Sequence, residues 1–285
     1  MLEHMIRHFK YLIFIIILVI PSILLSEGTY YYSETIGGGA APTDYTADAN
    51  CMGAWYMNNN GGDETDRSGE GETLTQNGGT IPTDAGHPTS YSGTSRDFEA
   101  SESETLYHAD GGSTDINGAD QAMSFCAWIK FEADPGADAT IVNKYSTFEN
   151  NRQYKFRHDH SSNAMYLLMS GDGQDPAIIA IGATDLADDT DWHHVCFVYN
   201  DTDMRIYVDG SLDSNGADNP KTYSAGIYNG SKEFSLGSED SDGCCPTSVF
   251  DGLMDEVIIF NRALSAAEVS DIMTNGIDGT NGGTD

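Results

Sequence analysis

The sequence predicts an all-β protein built from two antiparallel sheets packed face to face. Three observations point there. The 285 residues include 31 glycines among many Asp, Asn, Ser and Thr, the mixture that joins short strands through tight turns. The apolar runs are short and separated by polar connectors. One of them, Met123–Phe131 (MSFCAWIKF), is apolar on both alternating faces. Phe125, Ala127 and Ile129 share one side, and Ser124, Cys126 and Trp128 the other, as expected of a central strand covered by a second sheet.

In chain order, residues 1–26 read as an export segment. His4, Arg7, His8 and Lys10 precede a nearly unbroken apolar stretch from Tyr11 to Leu25, and Ser26 is a small residue suited to cleavage. The alternative is a retained membrane anchor, because the run falls between signal-peptide and spanning lengths. Either way the body is expected outside the cytoplasm, extracellular or at the cell surface. Residues 27–50 read as a linker or arm, with a Gly37-Gly38-Gly39 hinge and Tyr30-Tyr31-Tyr32.

The folded body is expected over 51–275, opening with the strand Ala54–Met57. The loop that follows holds ETDRSGEGETL, whose glycines permit positive-φ turns that let carbonyls converge. Asp66 and Ser68 would add side-chain oxygens there, the chemistry of a Ca²⁺ site; alternatively the segment is a turn capped by Asp66. Arg96–Phe98 and Thr105–Tyr107 are short strands, as are ATIVNK, YKFRH and AMYLLM. His158 and His160 sit two apart without a third ligand and read as hairpin residues. Asp191–Tyr199 (DWHHVCFVY) leads into a strand whose hairpin partner, MRIYVDG, turns at Asp209-Gly210. Adjacent His193 and His194 face opposite ways, so they cannot share one site.

Phe234–Gly237 opens an acidic loop, where Glu239, Asp240 and Asp242 are candidates for binding a cation or sugar hydroxyls. Trp128 is a candidate sugar platform on the concave sheet, with a core role as the alternative. Phe250–Met273 closes the body. Leu253, Val257 and Ile259 share a parity with Asp255, and a carboxylate on an apolar face must be hydrogen-bonded or metal-bound. Ser265 and Glu268 have capping-box spacing ahead of a short helix. Residues 276–285 read as a Gly-rich tail.

The stretch MDEVIIFNRALSAAEVSDI resembles the end of laminin-G-like (pentraxin-like) domains of the concanavalin A-like lectin/glucanase superfamily. The Trp192-His193-His194-Val195 run, the Ser124-Phe125…Trp128 strand and the Asp66-Arg67-Ser68-Gly69 loop carry the same resemblance. It implies a jelly-roll β-sandwich whose chain ends lie side by side. Asp66, Ser68 and Asp255 would then approach one another around a structural Ca²⁺.

Charge and cysteines bound the function. Thirteen basic and 45 acidic residues give a formal charge of −32, which disfavours nucleic acid and anionic membrane surfaces. Any membrane contact would come through the N-terminal segment if it is retained. Five cysteines allow one or two disulfides and leave the pairing open. A glycoside hydrolase would array carboxylates at alternate positions of one strand, and Glu64–Glu70 fails that pattern because its glycines make it a turn. A Ser nucleophile elbow, a phosphate loop and a dinucleotide fingerprint are absent. The sequence therefore reads as a non-catalytic module that binds a glycan or a surface protein. The alternative is a structural building block of a surface assembly that self-associates, and the hydrolase reading ranks last.

Overall fold

The computed structural model describes residues 43–86, 88, 93–147, 150–174, 177–186, 189–239 and 247–280. The expected export segment, most of the expected arm, the tail end, Asp240, Asp242, Cys244 and Cys245 lie outside them. Among the described residues no helix is long and apolar enough to cross a membrane.

Among the described residues, sixteen strands form two antiparallel sheets. In chain order they are β1 (Cys51–Trp55), β2 (Thr75–Asn77), β3 (Thr83–Asp84), β4 (Ser95–Phe98), β5 (Thr105–His108), β6 (Met123–Phe131), β7 (Ala139–Ser146) and β8 (Asn151–Asp159). There follow β9 (Ala164–Gly173), β10 (Ile178–Ile181), β11 (His193–Tyr199), β12 (Asp203–Val208), β13 (Ser211–Leu212), β14 (Lys221–Thr222), β15 (Phe234–Leu236) and β16 (Gly252–Phe260). The nine-stranded sheet runs β13-β12-β11-β6-β16-β4-β3, with β1 also on β16 and β14 on β12. The seven-stranded sheet runs β10-β9-β8-β7-β15-β5-β2.

Alternation along β6 explains the layering. Phe125, Ala127 and Ile129 join the core between the sheets, where Phe156, Leu167 and Leu236 of the seven-stranded sheet meet them. Cys126 points to the opposite face and packs in a second cluster beneath the C-terminal helix α1 (Ala266–Asn275). Cys126 stands directly across from Cys196 of β11, and the two form a disulfide. Cys51 is a buried free thiol.

The expected corner and helix form as read. Ser265 caps α1 by accepting the Glu268 amide hydrogen, and Glu268 accepts the Ser265 amide hydrogen in return. Arg262 ties this corner to the start of the body, donating to Asp48 (2.6 Å) and pairing with Glu268 (2.8 Å). Helix side chains Val269 and Ile272 are buried in the second cluster. Each contributes about 1.5–3 kcal/mol as an upper estimate from its apolar surface. Packing continues past both expected limits of the body. The Tyr45 amide donates to the Ile277 carbonyl at 2.8 Å, and both side chains belong to the second cluster.

The parity expected along the closing strand is corrected. In the β16–β6 ladder, Asp255 faces Trp128 and Ile258 faces Cys126, so Glu256 and Val257 together oppose Ala127. Glu256 adopts φ 48° at this bulge. An extra residue reverses the alternation. Met254, Val257 and Ile259 point into the main core. Asp255 faces outward, on the side of Trp128 rather than of Val257.

Candidate functional site

Asp66 organises its loop. Its Oδ1 accepts the amide hydrogens of Ala54 (3.0 Å) and Ser68 (2.9 Å). Its Oδ2 accepts those of Gly71 (2.8 Å) and Glu72 (3.2 Å), and the Ser68 hydroxyl donates to the same carboxylate at 2.8 Å. Burial alone would raise the carboxyl, but the Ser68 and Ala54 amides outweigh it and hold it below the usual carboxylate range. These contacts match the turn capped by Asp66.

Glu64, two residues earlier, is the residue of this loop whose charge acts on Asp255. Both are buried, at 2 % and 5 % exposure. Burial, then the charges of Glu256 and Glu64, push the Asp255 carboxyl well up, while its Oδ1 accepts the Glu256 amide hydrogen at 2.9 Å. No basic residue is among the groups that set its charge. Glu256 is pushed up to about 7, chiefly by burial. Arg96 lies 3.6 Å from Glu64 and partly offsets its burial. Asp66 is engaged by backbone amides and Asp255 Oδ1 by the Glu256 amide, and among the described residues neither carboxylate belongs to a group of three or more His, Cys, Asp or Glu side chains spaced to hold an ion.

A second group of carboxylates lies across the start of β16, with Asp97 on β4 to one side and Glu132 just past β6 to the other. Asp97, Glu99 and Glu132 each place an oxygen within 4.8 Å of the others. Burial, then Glu132 and Glu99, push Asp97 up to about 6. Asp97 Oδ1 is buried without a hydrogen-bond partner among the described residues. Three oxygens at this spacing could hold a divalent cation.

Trp128 is half-buried on the outer face of the nine-stranded sheet, its ring centroid 5.2 Å from that of His194. It therefore belongs to neither the main core nor the seven-stranded sheet. His194 is wholly buried and its pKa falls to about 3, because burial disfavours the charged ring. Its ring nitrogens lie 3.7 Å from Cys196 Sγ, but that sulfur is committed to the disulfide. His193 instead faces Asp209 (3.0 Å) and Asp189 (3.1 Å). His158 is buried against Phe131 and His160 is exposed, so the pair shares no site.

Glu239 pins its loop to the seven-stranded sheet. Its carboxylate pairs with Lys155 at 2.5 Å and its carbonyl accepts from Asn143 Nδ2 at 2.8 Å. Lys155 also sits 4.7 Å above the Tyr145 ring. Asp240 and Asp242 lie outside the described residues.

A cavity of about 350 Å³ opens at the edge of the seven-stranded sheet. Met169, Ile178, Tyr223 and Ala225 form its apolar wall, and Ser170, Gly171 and Asp172 its polar rim. A bulge creates it. Arg152 pairs with Gly173 and Tyr154 with Met169, leaving Ser170–Asp172 opposite Gln153 alone. The arched strand bonds elsewhere: the Tyr228 amide donates to the Ser170 carbonyl at 2.9 Å. Gly171 is required here, because a Cβ would lie 2.2 Å from the Ala225 carbonyl oxygen. The Tyr223 hydroxyl donates to the Gly226 carbonyl at 2.7 Å, and the Tyr199 hydroxyl accepts the Gly226 amide hydrogen at 3.1 Å. These bonds fix the wall, so the cavity is preformed.

Sequence reasoning missed Glu64, Glu256 and every residue of this cavity. The signal for the cavity was the Ser-Gly-Asp-Gly run at 170–173, since glycine within a strand pattern marks a bulge.

Residues 107–270 match the Laminin_G_3 family, described as the concanavalin A-like lectin/glucanases superfamily. No match is found among curated proteins. The fold is similar to the binding domain of Paraclostridial Mosquitocidal Protein 1, with a TM-score of 0.58 and 14% identity over 79% of this chain and 52% of that one. It is also similar to a structure of botulinum neurotoxin type C, whose cell entry depends on interaction with two ganglioside molecules (TM-score 0.59, 14% identity, 80% and 51% covered). A third likeness is to the botulinum neurotoxin serotype G binding domain (0.57, 16%, 79% and 50%). This chain spans about half the length of those structures, and identity at that level carries the fold alone.

Proposed function

Because the chain belongs to the concanavalin A-like lectin/glucanase superfamily, we propose that it is a non-catalytic binding module, exported, that recognises a glycan or a glycan-bearing surface protein. The cavity at the β9–β10 edge carries this reading. It is preformed, has one apolar wall, and presents a few polar groups at its rim, the general form of a small-molecule site. The likeness to toxin binding domains supports a binding role at a surface. Glu239 with Asp240 and Asp242, and Trp128 on the outer face of the nine-stranded sheet, would be separate contacts for a glycan, apart from the cavity.

The same reading includes a structural Ca²⁺. Asp255 would hold it, with oxygens of the Asp66–Ser68 loop exchanging their present hydrogen bonds for the ion. Asp97, Glu99 and Glu132 are the competing location.

A second reading, self-association into a surface assembly, draws on β10. This strand is the sheet edge and its Ile178 is 39% exposed.

A glycan-array measurement in Ca²⁺ and in EDTA tests the proposal. Binding of a defined glycan set supports it, and no binding in either condition sinks the glycan reading.

A further inference from the structure

Resting on the reading of the β9–β10 cavity as a glycan site, we infer that it selects an uncharged sugar or an amino sugar and rejects acidic ones. The apolar wall of Met169, Ile178 and Tyr223 suits the C–H face of a pyranose ring. Across from it stands Asp172, an exposed carboxylate at the rim. Its Oδ1 accepts the Gln174 amide hydrogen at 2.9 Å and the Ser170 hydroxyl at 3.1 Å. Both donors hold the group in place from one side. Among the described residues Oδ2 takes no donor from these neighbours, so it is left to accept a hydroxyl pair or an ammonium of the ligand.

Charge decides the class. Among the described residues, no basic side chain lines the cavity. Arg152, paired with this strand, is engaged elsewhere: its Nη1 donates to the Gly173 carbonyl at 3.4 Å and its guanidinium lies over the Tyr145 ring. A carboxylated or sulfated sugar would therefore meet Asp172 without a counter-charge, within a chain of formal charge −32. A neutral hexose pays no such repulsion, and a hexosamine gains an ion pair.

The test compares immobilised oligosaccharides ending in a hexose, a free hexosamine or a sialic acid, probed with the full chain and with Asp172→Asn. Hexose or hexosamine termini should bind at least about tenfold tighter than sialylated ones. Asp172→Asn should weaken hexosamine binding by about tenfold while keeping its thermal unfolding midpoint. Equal or tighter sialoside binding, or an unchanged hexosamine affinity in Asp172→Asn, overturns this inference and leaves the glycan reading standing. Failure to bind any of the three overturns the glycan reading and the inference with it.

Discussion

Glu256 accepts the amide hydrogen of Ile277 at 2.8 Å, joining the bulge of the closing strand to the residue just past the helix. Both side chains are buried, and Glu256 is 2% exposed. The bond explains how an acid persists inside an apolar layer, since the carboxyl can accept whether or not it carries a proton.

Its titration should be visible in stability. Burial raises Glu256 to about 7 against an ordinary 4.5, so between those pH values the folded chain holds a proton that the unfolded chain has released. Stability from this group is therefore complete below about pH 4.5 and is lost as pH rises through about 7, by on the order of 3 kcal/mol. Asp255, also raised, acts in the same direction. Urea unfolding from pH 4.5 to 8 should show the decline, and Glu256→Gln should reduce it to the part that Asp255 contributes.

The Cys126–Cys196 bridge closes a loop across a separation of 70 residues. Replacing both with Ala should cost about 4 kcal/mol from the loop entropy returned to the unfolded chain. Equilibrium denaturation of the double variant measures it.

Asp66→Ala removes the acceptor of four backbone amides and the Ser68 hydroxyl. A loss of roughly 2–4 kcal/mol is expected, with slower-exchanging amides at Ser68, Gly71 and Glu72 becoming fast in hydrogen exchange. Asp66→Asn should keep part of the stability, because one amide oxygen remains.

The calcium proposal separates cleanly from that structural role. Chelation should lower the thermal midpoint of the native chain, and Asp255→Asn should remove the response. A response lost instead in Asp97→Asn would move the ion to Asp97, Glu99 and Glu132, and no response to EDTA in the native chain would sink structural calcium.

Gly171→Ala tests the cavity. The added methyl would fall 2.2 Å from the Ala225 carbonyl oxygen, forcing the wall to shift and reducing glycan binding, with a stability cost of about 1–3 kcal/mol.

Local, repeating signals were legible in the sequence. The two faces of β6, the opposed His193 and His194, and the Ser265–Glu268 box each depend on spacing within a few residues, and each is found where expected. The bulge was not legible, because a glutamate at φ 48° carries no residue-type signal of the kind glycine gives. Missing it moved Asp255 to the wrong face and hid Glu64 as its neighbour. Of the cavity only the bulge at 170–173 had a local signal; its wall did not, because Asp172 and Tyr223 are about fifty residues apart and come together only in the fold. Disulfide pairing likewise needed the register that sets Cys126 against Cys196.

The meeting of Tyr45 with Ile277, and of Asp48 with Arg262, has a mechanical consequence. A tether pulling on the two ends of the body would load these contacts and the β1–β16 ladder before any strand of the seven-stranded sheet. The β9–β10 cavity lies on that other sheet. A ligand held there would stay seated while the nine-stranded side of the sandwich takes up the strain.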